Sequence, residues 1–462
     1  MDLSPSFKAY DVRGLVGVSI SEESAEAVGA AFVDVLGLSG QTIACGGDMR
    51  PSSPGFSGAF AAGAARRGAD VKSLGLISTD ELYYVCGALD IAGAIFTASH
   101  NPAEYNGIKM AKAGAVPVSA ETGLTAIRDL AQQYVDRGIP AAATQGTVST
   151  LDVLAGYAGK LRSLVPLNAV RPLKVVVDAG NGMAGLTVPA VLGDQFHPAL
   201  PLTVVPLYFE LDGTFPNHPA NPLEPENLRD LQAAVIAHGA DIGLAFDGDA
   251  DRCFVVDENG RPVTPSAVTA LIAVREIRRA QAAGEAEPVI IHNLITSRAV
   301  PEIVAAAGGR PVRTRVGHSF IKARMAEEGA VFGGEHSAHY YFRDFYNADT
   351  GMLAAMHVLA ALGEQERPLS ELAGEFDPYA ASGEINSSVD GVDGKVADVR
   401  ASYANGAVID ELDGLSVSSE AGDWWFNLRA SNTEELLRLN VEAADTATMA
   451  QVRDAVLQQI RA

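Results

Sequence analysis

Residues 42–96 read TIACGGDMRPSSPGFSGAFAAGAARRGADVKSLGLISTDELYYVCGALDIAGAIF. Thr42 to Gly46 reads as a short strand, Pro54 to Arg67 carries helical periodicity, and Val71 to Ile77 is a second strand. Thr79 then caps a helix over Asp80 to Leu89, and Ala92 to Phe96 is an apolar strand. Strand, helix, strand, helix, strand is the grammar of a largely parallel sheet covered by helices.

Further along the chain the same grammar restarts. Leu173 to Asp178 is followed by a glycine-rich turn, a helix through Leu192, a strand near Leu202 to Leu207, a helix from Glu224 to His238 and a strand Ile242 to Phe246. A third round runs through helix Pro265 to Ala283, strand Val289 to His292, helix Arg298 to Ala307, a strand near Val312 to Arg315, a helix over Phe320 to Glu328 and strand Val331 to Phe332. After Pro368 the pattern changes to strands around Gly383 to Val389, Ala407 to Leu412 and Trp425 to Arg429, then a helix from Thr446 to Arg461. The expected class is α/β: three consecutive α/β domains with mixed, largely parallel sheets at 1–150, 151–258 and 259–369, plus a smaller α+β C-terminal domain at 370–462.

Composition excludes several functions. A chain of 462 residues with 48% hydrophobic content has the apolar material for several cores. Its 57 acidic against 34 basic residues, a formal charge of −23, disfavour nucleic acid and anionic membrane as partners. Cys45, Cys86 and Cys253 are far apart and lack metal or disulfide spacing, which points to a reducing compartment. With no signal-peptide pattern at Met1 to Lys8 and no run of 18 apolar residues, a cytoplasmic, non-membrane protein is expected. Any anionic substrate must then be met by basic residues concentrated in one cleft.

The loops name candidates. Strand Ala92 to Phe96 ends in Thr97-Ala-Ser-His-Asn-Pro102, which puts Ser99 beyond a strand's carboxyl end, where ligands sit in such sheets. His100 and Lys109 could hold or deprotonate an oxygen there, although Asn-Pro and Asn-Gly punctuation also suits a plain turn. Strand Ile242 to Phe246 runs into Asp247-Gly-Asp-Ala-Asp-Arg252, whose alternate carboxylates can converge on one hard cation; a solvated acidic turn is the alternative. A calcium-hand loop is disfavoured because Arg252 replaces its sixth-position glycine. Magnesium suits such a site, keeping coordination room for a phosphoryl oxygen.

Three further turns carry polar groups. Gly180-Asn-Gly-Met-Ala-Gly185 matches the dinucleotide fingerprint in form, but Glu210 comes only loosely near the acidic position that should close the next strand, so a tight turn is preferred. Gly334-Glu-His-Ser-Ala-His339 offers groups suited to sugar hydroxyls and is not a zinc-protease motif. Arg429-Ala-Ser-Asn-Thr433 combines a guanidinium with small donors, a phosphate cradle or a capped turn.

The TASHNP, DGDADR, GEHSAH and RASNTE loops occur in one chain in this order, with KAYDVRG, which includes Tyr10 to Gly14, before them. Taken together they resemble the α-D-phosphohexomutase family, the phosphoglucomutase/phosphomannomutase enzymes. The resemblance spans the chain and implies four domains around a central cleft. It implies phosphorylated Ser99 as donor, Asp247, Asp249 and Asp251 as magnesium ligands with Ser99 joining through a phosphoryl oxygen, and Arg429, Ser431, Asn432 and Thr433 as phosphate anchor. Glu335 and Ser337 would grip sugar hydroxyls, and Tyr10, Arg13, His100, Lys109, Arg252, His318 and Lys322 resemble the family's other cleft residues, with Lys109 and His100 both candidates for proton transfer.

The implied reaction interconverts mannose 6-phosphate and mannose 1-phosphate through a hexose 1,6-bisphosphate, itself an expected activator, with glucose phosphates also accepted. His339 marks the mannose-accepting members. Glucose or glucosamine preference, and a non-catalytic sugar-phosphate binder, are the alternatives; monomer and homo-oligomer are both compatible with the chain. Two positions depart from the family: Glu435 stands where proline usually follows, and no lysine occurs in His292-Asn-Leu-Ile-Thr-Ser297.

Overall fold

A computed structural model describes residues 1–430 and 436–461, apart from the side chain of His318. The first sheet contains β1 (Val12–Leu15), β2 (Thr42–Gly47), β3 (Asp70–Leu76), β4 (Ala92–Phe96), β5 (Tyr105–Lys112), β6 (Val116–Pro117) and β7 (Val148–Thr150). Their order is β1-β5-β4-β2-β3-β7, with β6 on β5. β4, β2, β3 and β7 are parallel, β5 alone runs antiparallel to β4, and β1, antiparallel to β5, regains the direction of the parallel strands.

The second sheet orders β8 (Leu173–Asp178), β9 (Leu202–Leu207), β10 (Ile242–Phe246), β11 (Cys253–Asp257) and β12 (Pro262–Val263) as β12-β11-β10-β8-β9. The third orders β13 (Val289–Asn293), β14 (Arg310–Thr314), β15 (Phe332–Gly334), β16 (Tyr340–Phe342) and β17 (Ala348–Asp349) as β14-β13-β15-β16-β17. In each of these three sheets a strand of the parallel part returns through a loop into an antiparallel partner: β4 into β5, β10 into β11, β15 into β16. The fourth sheet, β18 (Ala380–Ser388), β19 (Ala407–Asp410), β20 (Leu415–Ser419), β21 (Trp424–Ala430) and β22 (Leu436–Ala443), is antiparallel throughout.

Strands β4, β10 and β13 are buried along their whole length. That is why they read as continuous apolar runs: helices cover both faces, so no alternation is needed. The helix after β3 spans Thr79–Ala88, and its cap is Ser78, not Thr79. Ser78 keeps extended backbone while its hydroxyl accepts from Glu81 N, and the Glu81 carboxylate accepts from Ser78 N in return, a reciprocal capping box. Freed from capping, Thr79 reaches into another domain, as described below. Among the described residues no helix is long and apolar enough to cross a membrane.

One buried carboxylate ties three parts of the chain together. Asp80 Oδ2 accepts from Tyr157 Oη at 2.6 Å, on the helix Leu154–Leu164, and from Thr350 Oγ1 at 2.7 Å, at the cap of the helix Gly351–Gly363. Burial pushes Asp80 up to about 6, against the pull of the Ser78, Tyr157 and Thr350 hydroxyls. A carboxyl raised on folding is protonated in the native state over a range where the unfolded chain has released its proton, so stability is lost as pH rises from about 4 through 6. The donors limit that loss. Tyr157→Phe is therefore expected to cost about 1.5–3 kcal/mol at pH 8, where the acceptor is ionised, and less at pH 5; urea denaturation at the two pH values measures both.

Candidate active site

Ser99 lies in the return between β4 and β5 and is almost fully buried. Its backbone is left-handed, with φ 50°, which a non-glycine residue adopts only when its surroundings impose it. Arg50 is the main constraint. Its guanidinium, wholly buried, donates to four carbonyls of the same loop: Ser99 at 2.8 Å, Asn101 at 2.7 Å, Pro102 at 2.7 Å and Tyr105 at 3.0 Å. Asp48, 3.3 Å away, balances its charge. The Ser99 hydroxyl is thereby aimed out of the first sheet and donates to Asp247 Oδ2 of the second sheet at 2.7 Å.

Asp247, Asp249 and Asp251 line the return between β10 and β11, and ligand oxygens of the three lie within 4.8 Å of one another. Two glycines allow the close packing. A Cβ on Gly248 would stand 2.4 Å from the Ser99 carbonyl oxygen, and one on Gly182 would stand 2.7 Å from the Gly248 carbonyl oxygen. Met183 N also donates to Gly248 O at 2.9 Å. The glycine-rich turn that resembles a dinucleotide fingerprint thus supports the acidic loop from behind.

Countercharge arrives from the first sheet. Lys109 Nζ, on β5, is 2.7 Å from Asp249 Oδ2 and 2.6 Å from Asp251 Oδ2. Thr79 Oγ1 donates to Asp249 Oδ2 at 2.6 Å, and Thr79 N donates to the Asp249 carbonyl. Burial alone raises Asp249, yet Lys109 and Thr79 overcome it and hold the group well below the usual range. Asp251 goes the other way, pushed up to about 7 by burial and by Asp249. Burial also raises Asp247, with Arg252 opposing. Asp249 Oδ1 and Asp251 Oδ1 are buried with no hydrogen-bond partner among the described residues. Two orphaned carboxylate oxygens beside a third carboxylate fit a hard divalent cation.

Arg252 bridges the two loops. Its guanidinium lies 2.8 Å from Asp247 Oδ2 and 2.6 Å from His100 Nδ1. Guanidinium has only donors, so Nδ1 of His100 accepts and the ring proton sits on Nε2. Burial, and then Arg252, keep His100 well below its ordinary value, so the imidazole is neutral. Arg13 is fixed by Asp11 at 2.7 Å and Asn101 at 2.5 Å. Tyr10, Arg13, Ser99, His100, Lys109, Asp251, Arg252 and His339 all line one cavity of about 740 Å³.

The return between β15 and β16 carries Glu335, Ser337 and His339. Glu335 is buried, with Oε1 accepting from Tyr341 at 2.5 Å and Oε2 from Asn293 at 3.1 Å. Ser337 Oγ is 3.1 Å from His339 Nδ1, and His339 Nε2 is 3.7 Å from Asp251 Oδ1, so this loop touches the acidic one. Burial pushes His339 down to about 4. Lys322 is sandwiched between Asp349, 2.7 Å away, and the Tyr83 ring, 3.7 Å away. Among the described residues, Glu335, Ser337 and Arg429 do not line the 740 Å³ cavity. Ser431, Asn432 and Thr433, and the side chain of His318, lie outside the described residues.

Family models for phosphoglucomutase/phosphomannomutase match this chain in four consecutive pieces: alpha/beta/alpha domain I at residues 4–137, domain II at 155–260, domain III at 264–379 and the C-terminal domain at 384–459. Phosphohexose mutases of Xanthomonas campestris pv. campestris are 41% identical over 97% of this chain and 97% of their own length. The chain belongs to the phosphoglucomutase/phosphomannomutase family. A phosphomannomutase of Salmonella typhimurium is 39% identical over 98% of this chain and 97% of its own. The crystal structure of a family protein from Burkholderia thailandensis superposes with a TM-score of 0.87 at 30% identity, covering 100% of this chain and 98% of that one.

Within this phosphohexomutase frame, three of the motif loops meet around Ser99. The motifs did not disclose Arg50, Thr79 or Asn293, because each acts on a loop distant in sequence. An oppositely charged Asp48-Met-Arg50 just after an apolar strand was the available signal for the first. Arg50→Lys keeps the charge and loses the fork that spans four carbonyls. With the Ser99 backbone no longer held, kcat is expected to fall about 10²-fold, with a detectable loss of stability; steady-state kinetics and denaturation on one preparation check the pair.

Proposed function

We propose that the chain interconverts mannose 6-phosphate and mannose 1-phosphate through phosphorylated Ser99 and a hexose 1,6-bisphosphate, in the cytoplasm, with glucose phosphates also accepted. The observation that carries this reading is the Ser99 hydroxyl, 2.7 Å from Asp247 at the convergence of three carboxylates. Magnesium, held by Asp247, Asp249 and Asp251, supplies positive charge to the phosphoryl oxygens when bound.

The chain's own residues complete the chemistry. The sugar's free hydroxyl attacks phosphorus, the bond from phosphorus to Ser99 Oγ breaks, and the hydroxyl proton must reach the departing serine oxygen. Lys109 is fixed as an ammonium between two carboxylates and is no base. Neutral His100 has its Nδ1 lone pair 3.3 Å from Ser99 Oγ and engaged by Arg252 at 2.6 Å, so it accepts a proton only once Arg252 turns to the phosphoryl group. With that bond released, we assign His100 to take the proton and return it to Ser99. Arg252, 3.4 Å from Ser99 Oγ, and Arg13 meet the negative charge that develops on the transferring group. Reversing the bisphosphate brings its second phosphate to Ser99, while Arg429 with Ser431, Asn432 and Thr433 hold the phosphate that is not reacting.

Tyr10, His318, Glu335, Ser337 and His339 are assigned to the sugar. The Tyr341 and Asn293 bonds fix the orientation of the Glu335 carboxylate. Mannose is favoured because relatives from Salmonella typhimurium and Escherichia coli carry the name phosphomannomutase and because His339 stands at the cavity wall.

Ser99→Ala is expected to abolish turnover of mannose 1-phosphate while the thermal transition stays near the wild-type value. Intact-mass measurement adds a second check: the wild type carries a phosphate that hexose monophosphate removes, and the variant carries none. Retained turnover in the variant would overturn the covalent route and favour a binding protein on the same scaffold. Selectivity is tested separately. One hydrogen bond at a sugar hydroxyl is worth about 0.5–1.5 kcal/mol, so His339→Gly should change the ratio of kcat/KM for mannose and glucose 1-phosphates by several-fold, and an unchanged ratio removes His339 from the specificity assignment.

A further inference from the structure

The glycine-rich turn Gly180 to Gly185 also organises a second loop. Asn181, buried and left-handed at φ 59°, makes four hydrogen bonds to the single stretch that follows β9 in the second domain. Its backbone N donates to Tyr208 O at 2.9 Å and its carbonyl accepts from Asp212 N at 3.0 Å. Its side chain donates to Glu210 O at 2.9 Å and accepts from Asn217 Nδ2 at 2.8 Å. Asp178, at the end of β8, adds a further tie: one oxygen accepts from Gly180 N at 2.8 Å and the other lies 3.0 Å from His218 Nε2.

The loop held in this way is set against the first domain. Asp212 O accepts from Phe215 N at 3.0 Å, and Asp212 Oδ1 accepts from Thr214 N at 2.9 Å and Thr214 Oγ1 at 2.7 Å, which makes a tight turn. The backbone of that turn presses on Arg50. A Cβ on Gly213 would stand 2.5 Å from Arg50 Cα and 2.9 Å from Pro51 Cδ, so glycine is needed for the approach. Phe215 places its ring against the Arg50 guanidinium, 5.1 Å from the guanidinium carbon to the ring centroid. Its φ is 53°, a conformation that a bulky residue keeps only where its contacts impose it. The edges of the guanidinium are taken by four carbonyls of the Ser99 loop and by Asp48. Phe215 takes a face.

We propose that this loop of the second domain is a clamp on the phosphoryl-transfer serine and that Phe215 is a positioning residue for the reaction. Asn181 fixes the loop, Gly213 and Phe215 fix Arg50, and Arg50 fixes the left-handed backbone of Ser99. This rests on the mutase reading above and deepens it. Neither Asn181 nor Phe215 lines the 740 Å³ cavity. Their effect therefore passes through the placement of Ser99 Oγ, and it falls on the transfer step and not on sugar binding. The two domains are then registered twice, once through Lys109 and the aspartates and once through Phe215 and Arg50.

The test uses the full chain with mannose 1-phosphate and compares Phe215→Leu, Phe215→Tyr, Asn181→Gly, and Phe215→Leu in the Arg50→Lys background. Phe215→Leu should lower kcat about tenfold and leave KM within about twofold of the wild type. Phe215→Tyr keeps the aromatic face and should recover most of that loss. Asn181→Gly accepts the left-handed backbone and loses only the two side-chain bonds, so it should lower kcat with KM unchanged and decides the matter should Phe215→Leu fold poorly. Because Phe215 acts through Arg50, adding Phe215→Leu to Arg50→Lys should cost much less than the tenfold seen alone. A residue that merely stabilised the fold would shift the thermal transition without this split between kcat and KM and without this coupling. If Phe215→Leu leaves kcat unchanged, or costs the same factor with and without Arg50→Lys, Phe215 does not act through Arg50 and the clamp falls while the mutase reading stands. If the wild type itself turns over no hexose phosphate, the mutase reading falls and takes this inference with it.

Discussion

Three carboxylates converge at a buried point, and most of the surrounding structure is the means of holding them there. Mutual repulsion and lost hydration both oppose the arrangement. Lys109 supplies one compensating charge from the first sheet and Arg252 another from the acidic loop itself, while Thr79 adds a hydroxyl from the start of a helix. Because two of these three groups belong to the first domain and the aspartates to the second, neutralising the charge also docks the domains. The same contacts bring the Ser99 hydroxyl against Asp247. Assembly of the site and assembly of the interface are one event.

The three α/β sheets use one device to present chemistry. In each, a strand of the parallel part turns back into an antiparallel neighbour, and the return carries the polar motif. Each return also contains a non-glycine residue at positive φ: Ser99 at 50°, Ala250 at 61° and Ala338 at 64°. Such a conformation needs support from outside the loop. Arg50 provides it for the serine loop and the stacked glycines for the acidic loop, while Asn293 and Tyr341 anchor the carboxylate of the sugar loop.

The fourth domain meets the others differently. Its antiparallel sheet reaches the third domain through polar contacts: Arg313 with Asp410, Val316 N with Asp413, and Arg298 N with Glu442. Apolar residues of this domain form a cluster of their own. Mounting the proposed phosphate anchor on a unit joined by replaceable polar contacts suits a cycle in which the sugar must reverse between two transfers.

Sequence alone settled what is local. The alternation of apolar strands and periodic helices between Thr42 and Phe96, and its two repeats, placed every central parallel strand, because strands buried on both faces are written as unbroken apolar runs. Motif chemistry likewise singled out Ser99, the three aspartates and Arg429, since each stands at a strand end. What it could not reach was anything decided by contact between segments distant in sequence. Thr79 looked like a helix cap until the fold set it against Asp249, and Gly180 to Gly185, read as a tight turn, showed its role only where Gly182 met Gly248. Lys109 and His100 were equal candidates as a base in the chain. Only the tertiary structure sets their charge states, locking Lys109 as an ammonium between carboxylates and leaving His100 neutral beside an arginine, because the charge a side chain carries is set by neighbours that the linear sequence does not place.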